Sequence, residues 1–279
     1  MIVDLPSVLV KARREGYCVG AFNVYNLETV DAVLAAAEEL RSPVIIAFGE
    51  RYLKNFPIRA VAAIVKTLAQ DSSVPVVLHL DHAQKLESIE QAIAAGFTSV
   101  MIDGSKFPLS ENISITKQAV ALARPRNVSV EAELGRITRT GIAAADLFTD
   151  PAEALQFMAE TGVDALAVAV GTVHGLYKGK PTLDLERLAR IAMDVHAPLV
   201  LHGGSGLPDD LIRSAIRLGV AKLNINTEVS IRGVNAVRGF LAEKGDENTR
   251  LEELMVEARG AMVGAVKQYI EFFGSAGKI

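Results

Sequence analysis

The chain contains no tryptophan and a single cysteine, Cys18, among 279 residues. The missing tryptophan decides nothing about function, but a lone thiol excludes an intrachain disulfide framework and fits a reducing cytosol. No uncharged apolar run reaches the roughly 18 residues of a membrane helix, and no charged-then-apolar leader opens the chain. The expectation is a cytoplasmic protein with no membrane partner. Neither sign of charge is in large excess. A net charge of −4 spread along the sequence leaves no basic footprint for nucleic acid. What is present is 50% hydrophobic and 22% charged residues, soluble globular composition with ample core. Neither a linker nor a low-complexity run interrupts residues 1–279, so one domain is expected.

Short apolar, β-rich runs recur near Cys18–Asn23, Val44–Phe48, Val76–Leu80, Ser99–Ile102, Val128–Glu133, Ala165–Ala169, Leu199–His202 and Ala221–Ile225. Between them, segments such as Glu28–Leu40, Ile58–Ala69, Glu111–Arg124, Ala152–Glu160 and Leu185–Val195 carry apolar residues at helical spacing. Eight strands alternating with helices predict a parallel sheet, and eight is the number that closes a (β/α)8 TIM barrel. An open doubly wound sheet is the alternative, because pattern does not show closure. Pro43, Pro75 and Pro198 each stand just before a strand core, where proline costs no central ladder bond. Asp150-Pro151 offers a cap and a first-turn proline for a helix. The tail, about 251–273, reads as an additional C-terminal amphipathic helix that covers the barrel, pairs with another subunit, or both.

In such barrels reactive groups collect at the C-terminal ends of strands. Here His82 ends LHLDH, His174 stands in GTVHG and His202 in LHGGSG, each after an apolar run. Asp81 precedes the first of them. Imidazole is the commonest metal ligand, and three with an open position form a catalytic pattern. His79 alternates away as a packing or supporting residue, and His196 lies in a polar turn. Asp103 ends the fourth strand. Glu131 and Glu133 share strand parity and so one face; direct metal contact and ion-paired support are both open for them. Gly203-Gly204-Ser205-Gly206 leads into a helix, and amides at a helix N-terminus favour phosphate. Asn224-Ile225-Asn226-Thr227 leaves the next strand, and the loops after strands seven and eight are the usual phosphate grip of this architecture.

Taken together, AFNVYN (21–26), SPVII (42–46), LHLDH (78–82), VMIDGS (100–105), EAELG (131–135), VHGLYKGKPTLD (173–184), LHGGSG (201–206), NINTE (224–228) and FGSAGK (273–278) resemble the class II, zinc-dependent ketose-bisphosphate aldolases. The resemblance runs nearly end to end. It implies a (β/α)8 barrel, a homodimer or homotetramer, and reversible aldol cleavage of a phosphorylated ketose to dihydroxyacetone phosphate and an aldehyde. It implies zinc on His82, His174 and His202, with Glu133 able to contact the metal when the site rearranges. Asp81 matches the acid–base residue acting at the C4 oxygen. Gly175, Gly203, Gly204, Ser205 and Thr227 match phosphate binders, and Asn23 and Asn224 match residues that bind the substrate. Loop carbonyls around Gly175 and Gly203 match ligands of a monovalent cation, Na+ or K+.

Two departures concern the substrate. Gly49 stands where many relatives place a serine or threonine, and GRITRTGIAAAD (135–146) replaces an acidic loop. Arg136 and Arg139 on that loop are suited to an anionic aldehyde half, since guanidinium pairs with phosphate or carboxylate; solvated loop residues are the other reading. Arg259 resembles an arginine that binds the distal phosphate in some relatives, across a subunit interface. Fructose or tagatose 1,6-bisphosphate is the first expectation. A ketose 1-phosphate with another anionic or neutral end is the alternative, followed by a phosphosugar epimerase and a non-catalytic phosphosugar-binding subunit.

Overall fold

The computed structural model describes residues 1–138, 143–175, 177–245 and 248–279. Its strands are β1 (Val19–Asn23), β2 (Val44–Gly49), β3 (Val76–Ala83), β4 (Ser99–Ile102), β5 (Ser129–Leu134), β6 (Ala165–Val168), β7 (Leu199–Leu201) and β8 (Val220–Ile225). Each pairs in parallel with the next, and β8 returns to β1, so the sheet is a closed eight-stranded barrel rather than an open one. Helix α1 (Pro6–Glu15) precedes β1. Helices α2 (Leu27–Glu39), α3 (Ile58–Leu68), α4 (Leu86–Ala95) and α5 (Leu109–Ala123) follow β1 to β4 in turn. After β5 to β8 come α6 (Pro151–Thr161), α7 (Leu185–Asp194), α8 (Asp209–Arg217) and α9 (Thr227–Lys244), and α10 (Leu251–Phe273) ends the chain.

The expected strands lie within a residue or two of these bounds, except that β3 runs three residues further, through Asp81 and His82 to Ala83. Asp150 caps α6 as expected, its carboxylate accepting from the amides of Ala152 at 2.8 Å and Glu153 at 3.2 Å. Helix α1 has no counterpart in the sequence reading. It plugs the N-terminal end of the barrel, where Leu5, Val8, Leu9 and Ala12 join Val19, Ile45, Val77, Met101 and Ala165 in one apolar cluster. The amide of Leu5 also donates to Ser129 Oγ at 3.1 Å.

Strand parity then explains why chemistry sits at the other end. Inward positions along β3 are Val77, His79 and Asp81, and along β5 they are Ser129, Glu131 and Glu133. The interior therefore grades from apolar at the plugged end to titratable at the C-terminal mouth. The tail helix α10 buries Met262, Ala265, Val266, Ile270 and Phe273 and packs against α2 and α9. Thus α10 covers its own barrel, while Leu251 and Val256 remain exposed on it. No helix among the described residues is long and apolar enough to cross a membrane.

Candidate active site

Asp81 and His82 are consecutive strand residues, which would ordinarily face opposite sides of the sheet. A register shift between β3 and β4 at this point, together with a positive φ of 51° at His82, turns both side chains toward the mouth. Left-handed backbone at a non-glycine residue costs roughly 1–3 kcal/mol and tends to cluster at functional sites. His174 and His202 arrive on the segments after β6 and β7. The His82 ring centroid lies 4.4 Å from that of His202 and 4.9 Å from that of His174, and the latter two are 6.1 Å apart.

Two of the rings are oriented by carboxylates from behind. His82 Nδ1–H donates to Asp103 Oδ2 at 3.0 Å, and His202 Nε2–H donates to Glu131 Oε1 at 2.9 Å. These bonds orient the rings and leave His82 Nε2 and His202 Nδ1 buried without a hydrogen-bond partner, as is Glu133 Oε2. Buried polar atoms are nearly always satisfied, and a carboxylate behind an imidazole is the arrangement that presents the other nitrogen to a metal. Asp81, His82 and His202 offer ligand atoms within 4.8 Å of one another, and so do His82, Glu133 and His174. The shared His82 makes these one cluster. The donor set of imidazoles and a carboxylate fits a divalent transition metal.

The charge balance follows from the same contacts. Burial pushes the Asp81 pKa up, but His82, His202 and Lys222 outweigh it and hold the carboxyl far below its usual range. Asn23 Nδ2 donates to Asp81 Oδ2 at 2.9 Å and Asn224 Nδ2 to Oδ1 at 3.0 Å. Burial lowers the His82 pKa, yet Asp81, Asp103 and Glu133 raise it to about 9. Glu133 is pushed up to about 8 by burial and by Asp103. Burial lowers His202, with the charges of His82 and Lys222 acting the same way.

Above this cluster opens a cavity of about 450 Å³ lined by Asn23, Asp81, His82, His174, Gly175, His202, Gly203, Ser205, Asn224 and Thr227, all expected at the site. Gly203 has φ of +71°, and a Cβ there would lie 2.2 Å from the carbonyl oxygen of Val173. Gly204 does not line the cavity; it lets the loop pack on Leu223, whose Cδ2 would be 1.8 Å from an added Cβ. The Gly203 carbonyl accepts from Tyr177 Oη at 2.9 Å, tying the His174 loop to the His202 loop. Arg259 is not brought to the cavity and pairs instead with Asp31 on α2. Arg136 is exposed and does not line it either, and Arg139 lies outside the described residues.

Sequence reasoning missed Lys222, whose Nζ lies 2.9 Å from Glu131 Oε2 with both side chains wholly buried. The signal was available: Lys222 has the strand parity of Asn224. It also missed Glu50, Arg51 and Gln84, which with Gly49 and Asn226 complete the cavity lining. His79 supports as expected, its Nδ1 bonding Ser99 Oγ at 2.8 Å.

A parallel barrel with imidazoles, carboxylates and glycine loops at its C-terminal mouth defines a class, the barrel enzymes that act at a metal beside a phosphate grip. The chain belongs to the class-II fructose-bisphosphate aldolase family, whose sequence profile matches residues 3–278. It is 43% identical over 284 residues to the 6-phospho-5-dehydro-2-deoxy-D-gluconate aldolase of Shouchella clausii (strain KSM-K16), covering 99% of this chain and 96% of that one. The crystal structure of the YdjI aldolase from Escherichia coli K12 is 38% identical, with a TM-score of 0.89 over 100% of this chain and 99% of that one. Fructose-bisphosphate aldolase from Campylobacter jejuni is 26% identical, with a TM-score of 0.87 over 100% and 97% of the two chains. The protein is a class II aldolase, a carbon–carbon lyase, a family typically dependent on metal and acting on phosphorylated sugars. The epimerase and non-catalytic readings give way to it.

Proposed function

We propose that this chain, working as one domain in a homodimer or homotetramer, catalyses zinc-dependent, reversible aldol cleavage of a phosphorylated ketose to dihydroxyacetone phosphate and an aldehyde. The observation that carries the reading is the pair of orphaned imidazole nitrogens, His82 Nε2 and His202 Nδ1, beside the doubly held carboxylate of Asp81. His82, His174 and His202 would hold the metal, with Glu133 as a further ligand. A divalent ion there supplies Lewis acidity, stabilising the charge left when the C3–C4 bond breaks.

The remaining chemistry belongs to the chain. Asp81, ionised at neutral pH, takes the proton from the C4 hydroxyl in cleavage and returns it in condensation. General acid–base catalysis of this kind contributes about a hundred- to ten-thousandfold. Asn23 and Asn224 fix both of its oxygens, which leaves its remaining lone pairs for that hydroxyl. Gly175, Gly203, Ser205 and Thr227 form a rim suited to the phosphate, and Thr227 opens α9, where helix amides favour an anion. A monovalent cation on the Gly203 carbonyl would share that oxygen with Tyr177.

Fructose or tagatose 1,6-bisphosphate is the first reading of the substrate. A second, favoured by the name of the Shouchella relative, is a ketose phosphate ending in a carboxylate, whose cleavage gives dihydroxyacetone phosphate and 3-oxopropanoate. Triose phosphate release from both kinds of ketose, with and without a chelator, tests the proposal. Chelator-sensitive release from one of them is expected. No release from any, with zinc bound at the histidines, overturns it.

A further inference from the structure

The cavity wall opposite the glycine loops is formed by the segments after β2 and β3: Gly49, Glu50, Arg51 and Gln84. In a ring of eight strands these two lie across the barrel from β6 and β7. Gly49 is the register partner of Asp81. A substrate with its phosphate on the glycine loops and its C4 oxygen at Asp81 therefore directs everything beyond C4 toward this wall. Arg51 is the one arginine that lines the cavity among the described residues. Its guanidinium lies over the Tyr52 ring, 4.7 Å from the centroid, and donates to the Tyr52 hydroxyl. That hydroxyl also accepts from Asn226 Nδ2 at 3.2 Å. Gly49 makes room for this support, because a Cβ there would already sit 3.3 Å from the Tyr52 ring. The arginine is thus braced, yet no carboxylate among the described residues pairs with it.

We propose that Arg51 is a specificity residue that binds a carboxylate at the far end of the aldehyde half. The proposal rests on the aldolase reading above. A braced guanidinium with unspent donors matches a planar carboxylate in bidentate fashion. A dianionic phosphate fits less well. Lys106 does not line the cavity and spends its ammonium on Gln84 Oε1 at 3.0 Å. Glu50 adds negative charge to the same wall, with Oε2 accepting from the Gln84 amide at 3.1 Å and Oε1 buried and unpartnered. Repulsion from the Glu50 carboxylate is about twice as large for a dianion as for a monoanion, which favours a carboxylate over a phosphate at Arg51. Of the arginines singled out from the sequence, Arg136 and Arg259 are not at this wall, and Arg139 lies outside the described residues.

The test uses the zinc-loaded enzyme in the condensation direction, with dihydroxyacetone phosphate and four aldehydes. The first pair is 3-oxopropanoate and propanal, which differ by a carboxylate in place of a methyl. The second pair is glyceraldehyde 3-phosphate and glyceraldehyde. Wild type is expected to prefer 3-oxopropanoate over propanal in kcat/KM. Arg51→Gln is expected to lower that ratio about a hundredfold, the scale of a lost charge-assisted contact, mostly through KM, with Arg51→Lys recovering part. An equal fall for both members of the pair, an unchanged ratio, or a fall confined to the phosphate pair overturns the proposal. Solvent-deuterium exchange into dihydroxyacetone phosphate by the wild type, with no aldehyde present, reports on the aldolase reading separately. Exchange without a preference for 3-oxopropanoate overturns the Arg51 proposal alone, whereas no exchange overturns the aldolase reading and the proposal with it.

Discussion

Lys222 Nζ lies 2.9 Å from Glu131 Oε2 and 3.0 Å from Oε1, and Glu131 Oε1 in turn accepts from His202 Nε2. Burial pushes the Glu131 pKa up, but Lys222 and the bond from His202 reverse that and hold it below the carboxylate range. An ionised Glu131 keeps the proton of His202 on Nε2 and frees Nδ1. Lys222→Met leaves that carboxylate buried without its lysine, held only by the bond from His202, and removing one partner of a buried pair typically costs about 3–5 kcal/mol. Urea unfolding of the metal-free protein is expected to show a loss of that order. Much of it is expected to return in the double variant Lys222→Met/Glu131→Leu. A single variant within about 1 kcal/mol of wild type would show the pair to be dispensable.

Asp103 plays the corresponding part for His82 through the 3.0 Å bond to Nδ1. Loss of such a carboxylate behind a ligating imidazole typically weakens metal binding about 10- to 100-fold. Asp103→Ala is expected to show this in a chelator-competition titration with zinc, with its fold intact by circular dichroism. An unchanged affinity would mean that His82 is not oriented for metal by this bond.

His79 is held neutral. Burial, helped by the charge of Lys222, lowers its pKa from 6.5 to about 3. Below pH 6.5 the unfolded chain takes up a proton that the folded chain refuses, so His79 contributes full stability above 6.5 and loses it as pH falls toward 3. His202, also lowered, acts in the same direction. The contribution of His82, raised to about 9, is already complete below 6.5 and adds no slope there. Glu133, raised to about 8, opposes this trend, because the folded chain holds a proton that the unfolded chain gives up above about 4.5. The urea midpoint of the metal-free protein is therefore expected to fall mainly at the acid end of the range from pH 6.5 to 4.5, where the two histidines outweigh it. His79→Leu is expected to flatten part of that fall. A midpoint independent of pH across this window would contradict the account.

Gly203 combines a φ of +71° with an absent Cβ whose place is 2.2 Å from a carbonyl oxygen. Alanine there is expected to cost more than about 1 kcal/mol and to raise KM for the phosphorylated substrate. Normal stability and KM would show that the loop tolerates a side chain.

Much of this arrangement was legible because strand residues announce themselves by parity. Val77, His79 and Asp81 alternate, as do Glu131 and Glu133, and a barrel makes the inward set a single site. The turn at His82 was not legible, since a bulge depends on the neighbouring strand and breaks the alternation that the reading used. Lys222 was passed over because a lysine in an apolar strand has meaning only beside its buried carboxylate, 91 residues away in the sequence. Arg51 was hidden for a similar reason: nothing local in GERY places it across the barrel from the glycine loops. Arg259 carried a resemblance that this chain, taken alone, uses for a contact with Asp31.

The central claim is that Asp81 moves the C4 proton beside a metal held by His82, His174 and His202. Dihydroxyacetone phosphate release from the best ketose substrate by zinc-loaded Asp81→Ala, compared with wild type at equal metal content, tests it most directly. The account predicts a fall in kcat of about a hundred- to ten-thousandfold with zinc still bound and with release by the wild type abolished by a chelator. Release at the wild-type rate by the variant, or release by the wild type that survives removal of the metal, would contradict it.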